Sequence, residues 1–250
     1  MVYKENKMEE FYNNTKDIRF TYEPYKSDLE KALTSDDAFN YLQYQTKIPY
    51  FTFPLPDINY DKVVKECLEL LKKYKNNFHY THIPNSVNQK NWKIYFIYKN
   101  LNSNERDFSR HNRTEEEVFT FLYKNEFTEL EKLVKKYNYV NNPVFLSVLM
   151  PGAVIPSHQD IVKNNKAMTK ARLPISYPKN CTMLLDGVGS LDYYNNELVF
   201  FNHRLTHGVY NFSNEPKVDL SISGYITNKD DFEEYNFAIK HKIEGILNEL

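Results

Sequence analysis

Apolar positions change their spacing partway along this chain. Over roughly the first 141 residues they recur mostly at helical intervals. Asp28 to Gln45, DLEKALTSDDAFNYLQYQ, reads as one helix with Ser27 or Asp28 as its cap. Asp61 to Lys75 is the clearest amphipathic helix, with Val64, Leu68 and Leu71 on one face and lysines opposite. Asn91 to Asn100, NWKIYFIYKN, alternates and is rich in aromatic and β-branched residues, as a strand requires. Thr114 opens TEEE, a capping-box signature, ahead of a helical run to about Tyr137 with Phe119, Phe121 and Leu122 as its packing stripe.

From Asn142 the pattern turns to short strands separated by turn signals: NPVFLSVLM, AVIPSHQD, ARLPISYP, CTMLLDG, LDYYNN, ELVFFN, HGVYNFS and KVDLSISGYIT. Such a series predicts a β-sandwich or barrel, here a jelly roll. Asp230 to Leu250 reads as a terminal helix. There is no internal repeat, Gly/Ser linker or abrupt charge block. The expected fold class is mainly β with flanking helices, as one domain over 1–250. Residues 1–141 form a mixed flanking half, 142–228 the β-core and 229–250 the closing helix.

Charge narrows the function classes. Lys plus Arg (32) balances Asp plus Glu (33), which gives no overall pull towards nucleic acid or an anionic membrane. The polar N-terminus lacks the apolar core of a signal peptide, and no run reaches the ~20 apolar residues of a membrane span. A reducing cytoplasm is the expected location. Cys67 and Cys181 have neither metal-ligand spacing nor a disulfide framework, and are expected to be buried thiols.

One constellation carries chemistry. In VLMPGAVIPSHQD, His158 and Asp160 are two residues apart, which on a strand places both on one face. A third ligand from another strand would complete a two-His-one-carboxylate face on a six-coordinate metal. Three adjacent positions then stay open, the arrangement of non-haem Fe(II) oxygenases. H-x-D alone is a weak signal, and a hydrogen-bonded His-Asp pair is its default reading. Three features add to it. Pro151-Gly152 and Pro156 punctuate the strand, as at a sheet edge or barrel mouth. His207 sits in FFNHRLTHGVYN, where a neighbouring strand would present it to the same cavity. Lys217 heads the next strand, and a cation deep in a barrel needs a partner such as a cosubstrate carboxylate.

Ser147 to Ile222 resembles the aspartyl/asparaginyl β-hydroxylase-like branch of the Fe(II)/2-oxoglutarate dioxygenases, which includes small-molecule proline hydroxylases. That pattern runs S-x-x-x-P-G-x-x-I-x-x-H-x-D, R-x-H-x-P-I, a glycine, F-x-x-x-x-x-H-x-V-x-N, and a basic residue before L-x-I. The chain supplies Ser147, Pro151, Gly152, Ile155, His158 and Asp160, then KARLPI, then FNHRLTHGVYN, then Lys217 and LSI. The resemblance implies a double-stranded β-helix of the cupin type, with iron held by His158, Asp160 and His207. It further implies 2-oxoglutarate held through its far carboxylate by Lys217 and contacted by Ser147, O₂ as oxidant, and hydroxylation of an unactivated C–H bond. Two steps depart from the pattern. Lys217 stands where arginine is usual and lacks its bidentate fork. R-x-H becomes Lys170-Ala-Arg172, so either residue is a candidate contact to 2-oxoglutarate, with Arg172 favoured if it points inward. Asp160 argues against halogenation, because a halide needs the position that the carboxylate fills.

The resemblance points to a small-molecule substrate, a free amino acid or related metabolite, ahead of a peptidyl side chain. A metal- or ligand-binding barrel without turnover is the alternative of another class. Tyr80, His82, Trp92 and Tyr95 are candidate substrate contacts, though core packing suits each. His203 and Arg204 lie in the turn before His207. Asn211 matches the V-x-N step, where its amide orders the strand or the cosubstrate. His79, His82, His111 and His241 are expected at the surface.

Overall fold

The computed structural model describes residues 2–80, 91–100, 119–137, 143–159, 170–191, 196–202, 204–223 and 229–250. Among them, six helices flank twelve strands in two antiparallel sheets. The helices are α1 (Val2–Thr15), α2 (Lys26–Thr34), α3 (Ala38–Asn40), α4 (Tyr60–Lys73), α5 (Thr128–Tyr137) and α6 (Lys229–Glu249). The first half contributes β1 (Tyr50–Pro54), β2 (His79–Tyr80), β3 (Trp92–Asn100) and β4 (Phe119–Phe121). Then come β5 (Val144–Leu149), β6 (Val154–His158), β7 (Lys170–Ser176), β8 (Cys181–Leu185), β9 (Gly189–Ser190), β10 (Glu197–Phe201), β11 (His207–Asn211) and β12 (Lys217–Ser223).

The large sheet runs β1-β10-β7-β12-β5-β3-β2, with β4 beside β3, and the small sheet runs β6-β11-β8-β9. From β5 to β12 the chain alternates between them: β5, β7, β10 and β12 lie in one, and β6, β8 with β9, and β11 in the other. That zigzag is the double-stranded β-helix. The first crossing is the Pro151-Gly152 turn, where Gly152 takes φ +71° and its amide donates to Asn211 O at 2.8 Å.

Period-two alternation assigns the two faces of the large sheet. Val144, Leu146, Val148, Ala171, Leu173, Leu198, Val218, Leu220 and Ile222 pack with Leu29, Val63, Leu70, Leu133 and Ile239 of the helices. Leu149, Val199 and Phe201 face inward, against Ile155, Met183, Leu185 and Val209 of the small sheet. On β12 the positions between Val218, Leu220 and Ile222 are all polar and buried: Lys217 (2% exposed), Asp219 (5%) and Ser221 (2%). Apolar side chains there would each contribute about 1.5–3 kcal/mol. Function is the reason to look for at such a strand.

Several local expectations are corrected. The Asp28–Gln45 helix is broken: α2 ends at Thr34, and Ser35 is extended (φ −71°, ψ 145°). Ser35 Oγ accepts from Asp37 N at 3.2 Å, and a π-helical turn covers Tyr41–Gln45. Tyr25, without a side-chain cap, precedes α2 in place of a Ser27 or Asp28 cap. On α4 the fully buried stripe is Val63, Glu66, Cys67 and Leu70; Val64 and Leu71 pack at its margin, and only Leu68 of the expected face is exposed, at 45%. Glu66 goes inside because its carboxylate accepts the first amides of α5, from Leu130 at 2.7 Å and Glu129 at 3.3 Å. Thr114 lies outside the described residues. Phe119–Phe121 is a strand against β3 (Tyr98 opposite Phe121), and the helix begins only at Thr128. His79 is half-buried on β2 with its ring 5.4 Å from Phe96. No helix among the described residues is long and apolar enough to cross a membrane.

Candidate functional site

His158 ends β6 and His207 begins β11, and the two are direct cross-strand partners with ring centroids 4.3 Å apart. The register shifts beside them. His207 faces His158 while Val209 faces Ile155, so β6 carries one extra residue and bulges. The bulge falls on Pro156-Ser157, opposite Gly208, where proline has no amide to give to a ladder. His158 Nδ1 lies 2.7 Å from Pro156 O, and His207 Nδ1 lies 2.9 Å from Leu205 O. A carbonyl only accepts, so in both rings Nδ1 carries the proton and the lone pair sits on Nε2. Backbone carbonyls fix metal-binding imidazoles in this way. His207 is buried, with its ring 5.2 Å from Phe201, and His158 is half-buried.

Asp160 lies outside the described residues. The chain is described up to Gln159, whose amide donates to Thr206 Oγ1 at 3.2 Å, tying the end of β6 to the turn before His207. Among the described residues no third His, Cys, Asp or Glu joins the pair. Two δ-protonated imidazoles side by side, with a carboxylate two residues beyond one of them, suit a divalent metal with mixed nitrogen and oxygen ligands.

A second polar group lies on the inner face of the large sheet. Ser147 is opposite Asp219 on one side and Ile94 on the other, and its Oγ accepts from Trp92 Nε1 at 2.8 Å. Arg172 is opposite Ser221 and donates to its hydroxyl through Nη1. It alternates with Ala171 and Leu173, which face the helices, so Arg172 points inward as expected. Lys170 heads the same strand, opposite Phe201 and Ser223, with its side chain outside the description.

Lys217 is held by the Asp219 carboxylate, to which its ammonium donates, and stands 5.0 Å from the centre of the Tyr177 ring. Burial pushes the ammonium down to about 7, with Cys181 acting to raise it and Arg172 to lower it further. The anionic partner favours the charged form. Burial likewise pushes the Cys181 thiol up to about 11, opposed by Lys217. One atom is left over: Asp219 Oδ1 is buried with no hydrogen-bond partner among the described residues.

The structure thus brings together His158 with His207, and Ser147, Arg172 and Lys217 on one inner face. Asp219, Ser221 and Tyr177 join the second group unannounced. The signal for Asp219 and Ser221 was the polar alternation of KVDLSIS, which ordinarily marks a solvent-facing strand; Tyr177, just beyond β7, had none. Tyr95 is on the helix side and donates to Lys75 O at 3.2 Å, so it is no substrate contact. Trp92 is spent on Ser147, Arg204 is exposed, and His82 and His203 lie outside the described residues. Tyr80 is on β2 with its side chain undescribed. Asn211 orders the strand end. Its Nδ2 donates to Leu149 O (2.8 Å) and Glu215 O (2.9 Å), and its Oδ1 accepts from Ser213.

The family profile described as aspartyl/asparaginyl beta-hydroxylase matches residues 57–225, a span that contains every candidate residue above. None of the curated proteins matches the chain in sequence. Among solved structures the chain is similar to a Pseudomonas putida prolyl-4-hydroxylase, at 14% identity, covering 78% of this chain and 95% of that one, with TM-score 0.39. It is similar to an oxidoreductase of the 2OG-Fe(II) oxygenase family from Burkholderia pseudomallei, at 9% identity, covering 77% and 87%, with TM-score 0.45. A viral collagen prolyl hydroxylase from Paramecium Bursaria Chlorella virus-1, in complex with 2-oxoglutarate, is similar at 11% identity, covering 72% and 98%, with TM-score 0.40.

Proposed function

The chain belongs to the aspartyl/asparaginyl β-hydroxylase family of Fe(II)/2-oxoglutarate dioxygenases, and from that premise we propose that it hydroxylates a C–H bond of a free amino acid or related small metabolite. The observation that carries the metal reading is the pair of cross-strand histidines, both fixed through Nδ1 by carbonyls two residues earlier. His158 and His207 would hold Fe(II) through Nε2, with Asp160 as the third protein ligand. Iron with 2-oxoglutarate supplies the oxidising power to insert one oxygen atom of O₂, as 2-oxoglutarate leaves as succinate and CO₂.

The protein's own work is binding, orientation and exclusion of water. Lys217 and Ser147 receive the far carboxylate of 2-oxoglutarate, and Arg172 supplies a second cation along the same inner face, with Lys170 the alternative. Leu149, Ile155, Met183, Leu185 and Val209 keep the interior apolar around them. No side chain is needed as a general base.

The test begins with an anaerobic titration of Fe(II) and 2-oxoglutarate, followed by the visible charge-transfer absorption of the chelate. Free amino acids are then screened under ¹⁸O₂, with succinate release counted. The expected product gains one oxygen labelled from O₂. An added oxygen drawn wholly from water overturns the oxygenase reading. Turnover of peptides alone moves the substrate class to peptidyl side chains. Binding of both ligands with no succinate formed leaves a barrel that holds them without reaction.

A further inference from the structure

The residue that stands nearest to the proposed cosubstrate lysine is an acid, and it is only half used. Asp219 lies two positions after Lys217 on β12, on the same inner face, opposite Ser147. One carboxylate oxygen accepts from the Lys217 ammonium, and the other has no partner among the described residues although the side chain is only 8% exposed. An orphaned carboxylate oxygen in an apolar interior is costly. It is more so when a second carboxylate must approach the same ammonium, because two carboxylates sharing one site disfavour double ionisation and one of them takes a proton.

The charged and titratable groups around the pair, among the described residues, are Arg172 from β7, Tyr177 beyond its end and Cys181 from β8. Arg172 is permanently charged, and Cys181 is held protonated by burial. Neither supplies the hydrogen that Asp219 Oδ1 lacks.

We propose that Asp219 is a positioning residue for the cosubstrate: as the far carboxylate of 2-oxoglutarate reaches Lys217, Asp219 takes up one proton from the buffered solvent, the buffer acid becoming its conjugate base, on the oxygen that has no partner among the described residues, and donates it in a hydrogen bond to that carboxylate. The inference rests on the reading of Lys217 as the cosubstrate lysine. It makes the far-carboxylate site a lysine-plus-carboxylic-acid pair, so the site recognises the anion with an O–H donor as well as a cation. It also ties cosubstrate affinity to pH: a binding step that takes up one proton strengthens about tenfold for each pH unit of acidification.

Calorimetry of 2-oxoglutarate binding to the Fe(II)-loaded protein, without oxygen, in buffers of different ionisation heat counts the protons taken up. Lys217 is the competing acceptor, since burial brings it to about 7. The count is therefore made in Lys217→Arg, whose guanidinium does not titrate. Uptake of about one proton is expected in Lys217→Arg at about pH 7.5, and none in Lys217→Arg/Asp219→Asn. No uptake in the arginine variant, or uptake that survives loss of the acid, overturns the proposal.

Should the arginine variant not bind, infrared difference spectra of the otherwise unaltered protein decide. A protonated-carboxyl carbonyl band is expected to appear on adding 2-oxoglutarate and to be missing in Asp219→Asn. Its absence, or its persistence in that variant, overturns the proposal. Tight binding without a proton thus sinks this inference alone, whereas failure of the Fe(II) protein to bind 2-oxoglutarate sinks the cosubstrate reading and this one with it.

Discussion

Gly208 follows His207 on β11 and faces the bulged part of β6, so Gly208→Ala tests whether backbone fit positions His158. A Cβ built there lies 3.2 Å from Ile155 O, 3.3 Å from Ser157 N and 3.3 Å from the Tyr210 ring. Ile155 and Ser157 bracket Pro156, whose carbonyl holds His158 Nδ1. Two of the three contacts are backbone, so β6 must retreat by a few tenths of an ångström. Overpacking of this kind costs about 1–3 kcal/mol of folding stability. Displacing the carbonyl that orients a ligand costs about 10–100-fold in metal affinity. Affinity is measured by competition with a chromophoric chelator, and stability by urea unfolding of the metal-free protein. Gly152→Ala is the control: it has φ +71° and nothing within 4 Å, and it sits beside Asn211, at the end of β11 opposite to His207, so it strains the backbone away from the histidines. Lower stability with unchanged metal affinity in Gly208→Ala, matching that control, would refute the idea that strand fit sets the ligand geometry.

His158→Ala, Asp160→Ala and His207→Ala are each expected to lose most Fe(II) binding in the same competition assay. His241→Ala, whose side chain is 82% exposed, is expected to lose none; unchanged affinity in any of the three removes that residue from the ligand set. Lys217→Ala strands Asp219 as a buried anion and is expected to raise the 2-oxoglutarate dissociation constant by about 10–1,000-fold and to lower stability by about 3–5 kcal/mol. Adding Asp219→Asn is expected to recover part of both, and a dissociation constant unmoved in Lys217→Ala would hand the cosubstrate carboxylate to Arg172 or Lys170.

The fold was most legible where one sheet face is apolar. VFLSVL, ARLPI and KVDLSI each read as strands because every second residue enters the helix-side core. Helix boundaries were less legible, since what ends them is remote in sequence. α3 starts where Ala38 N donates to Asn236 Oδ1 of α6, a contact across 198 residues. Phe119–Phe121 becomes a strand because β3 offers an edge to pair with, while the local TEEE signature argued for helix. The shift of α4's buried stripe towards Val63, Glu66, Cys67 and Leu70 has the same origin. A glutamate counts as exposed in any hydropathy pattern, and only the unsatisfied amides at the start of α5 give Glu66 a reason to be inside.

The site divides along the same line. The pairing of His158 with His207 was legible because their motifs fix them to strands that the fold then makes neighbours. Asp219 was not, although it sits in plain sight in KVDLSIS. A polar residue alternating with apolar ones is ordinarily a solvated position, and hydropathy does not distinguish water outside a sheet from a cavity inside a barrel. The topology makes that distinction: β12 is central in the large sheet, between β7 and β5, with helices on one face and the small sheet across the other. Neither face is open to water, so each polar residue on β12 has to be satisfied by another group or by a ligand. Lys217 has Asp219, and Ser221 has Arg172. By that accounting Asp219 Oδ1, without a hydrogen-bond partner among the described residues, is the point on β12 where uptake of one proton and an accepting carboxylate would complete the hydrogen bonding.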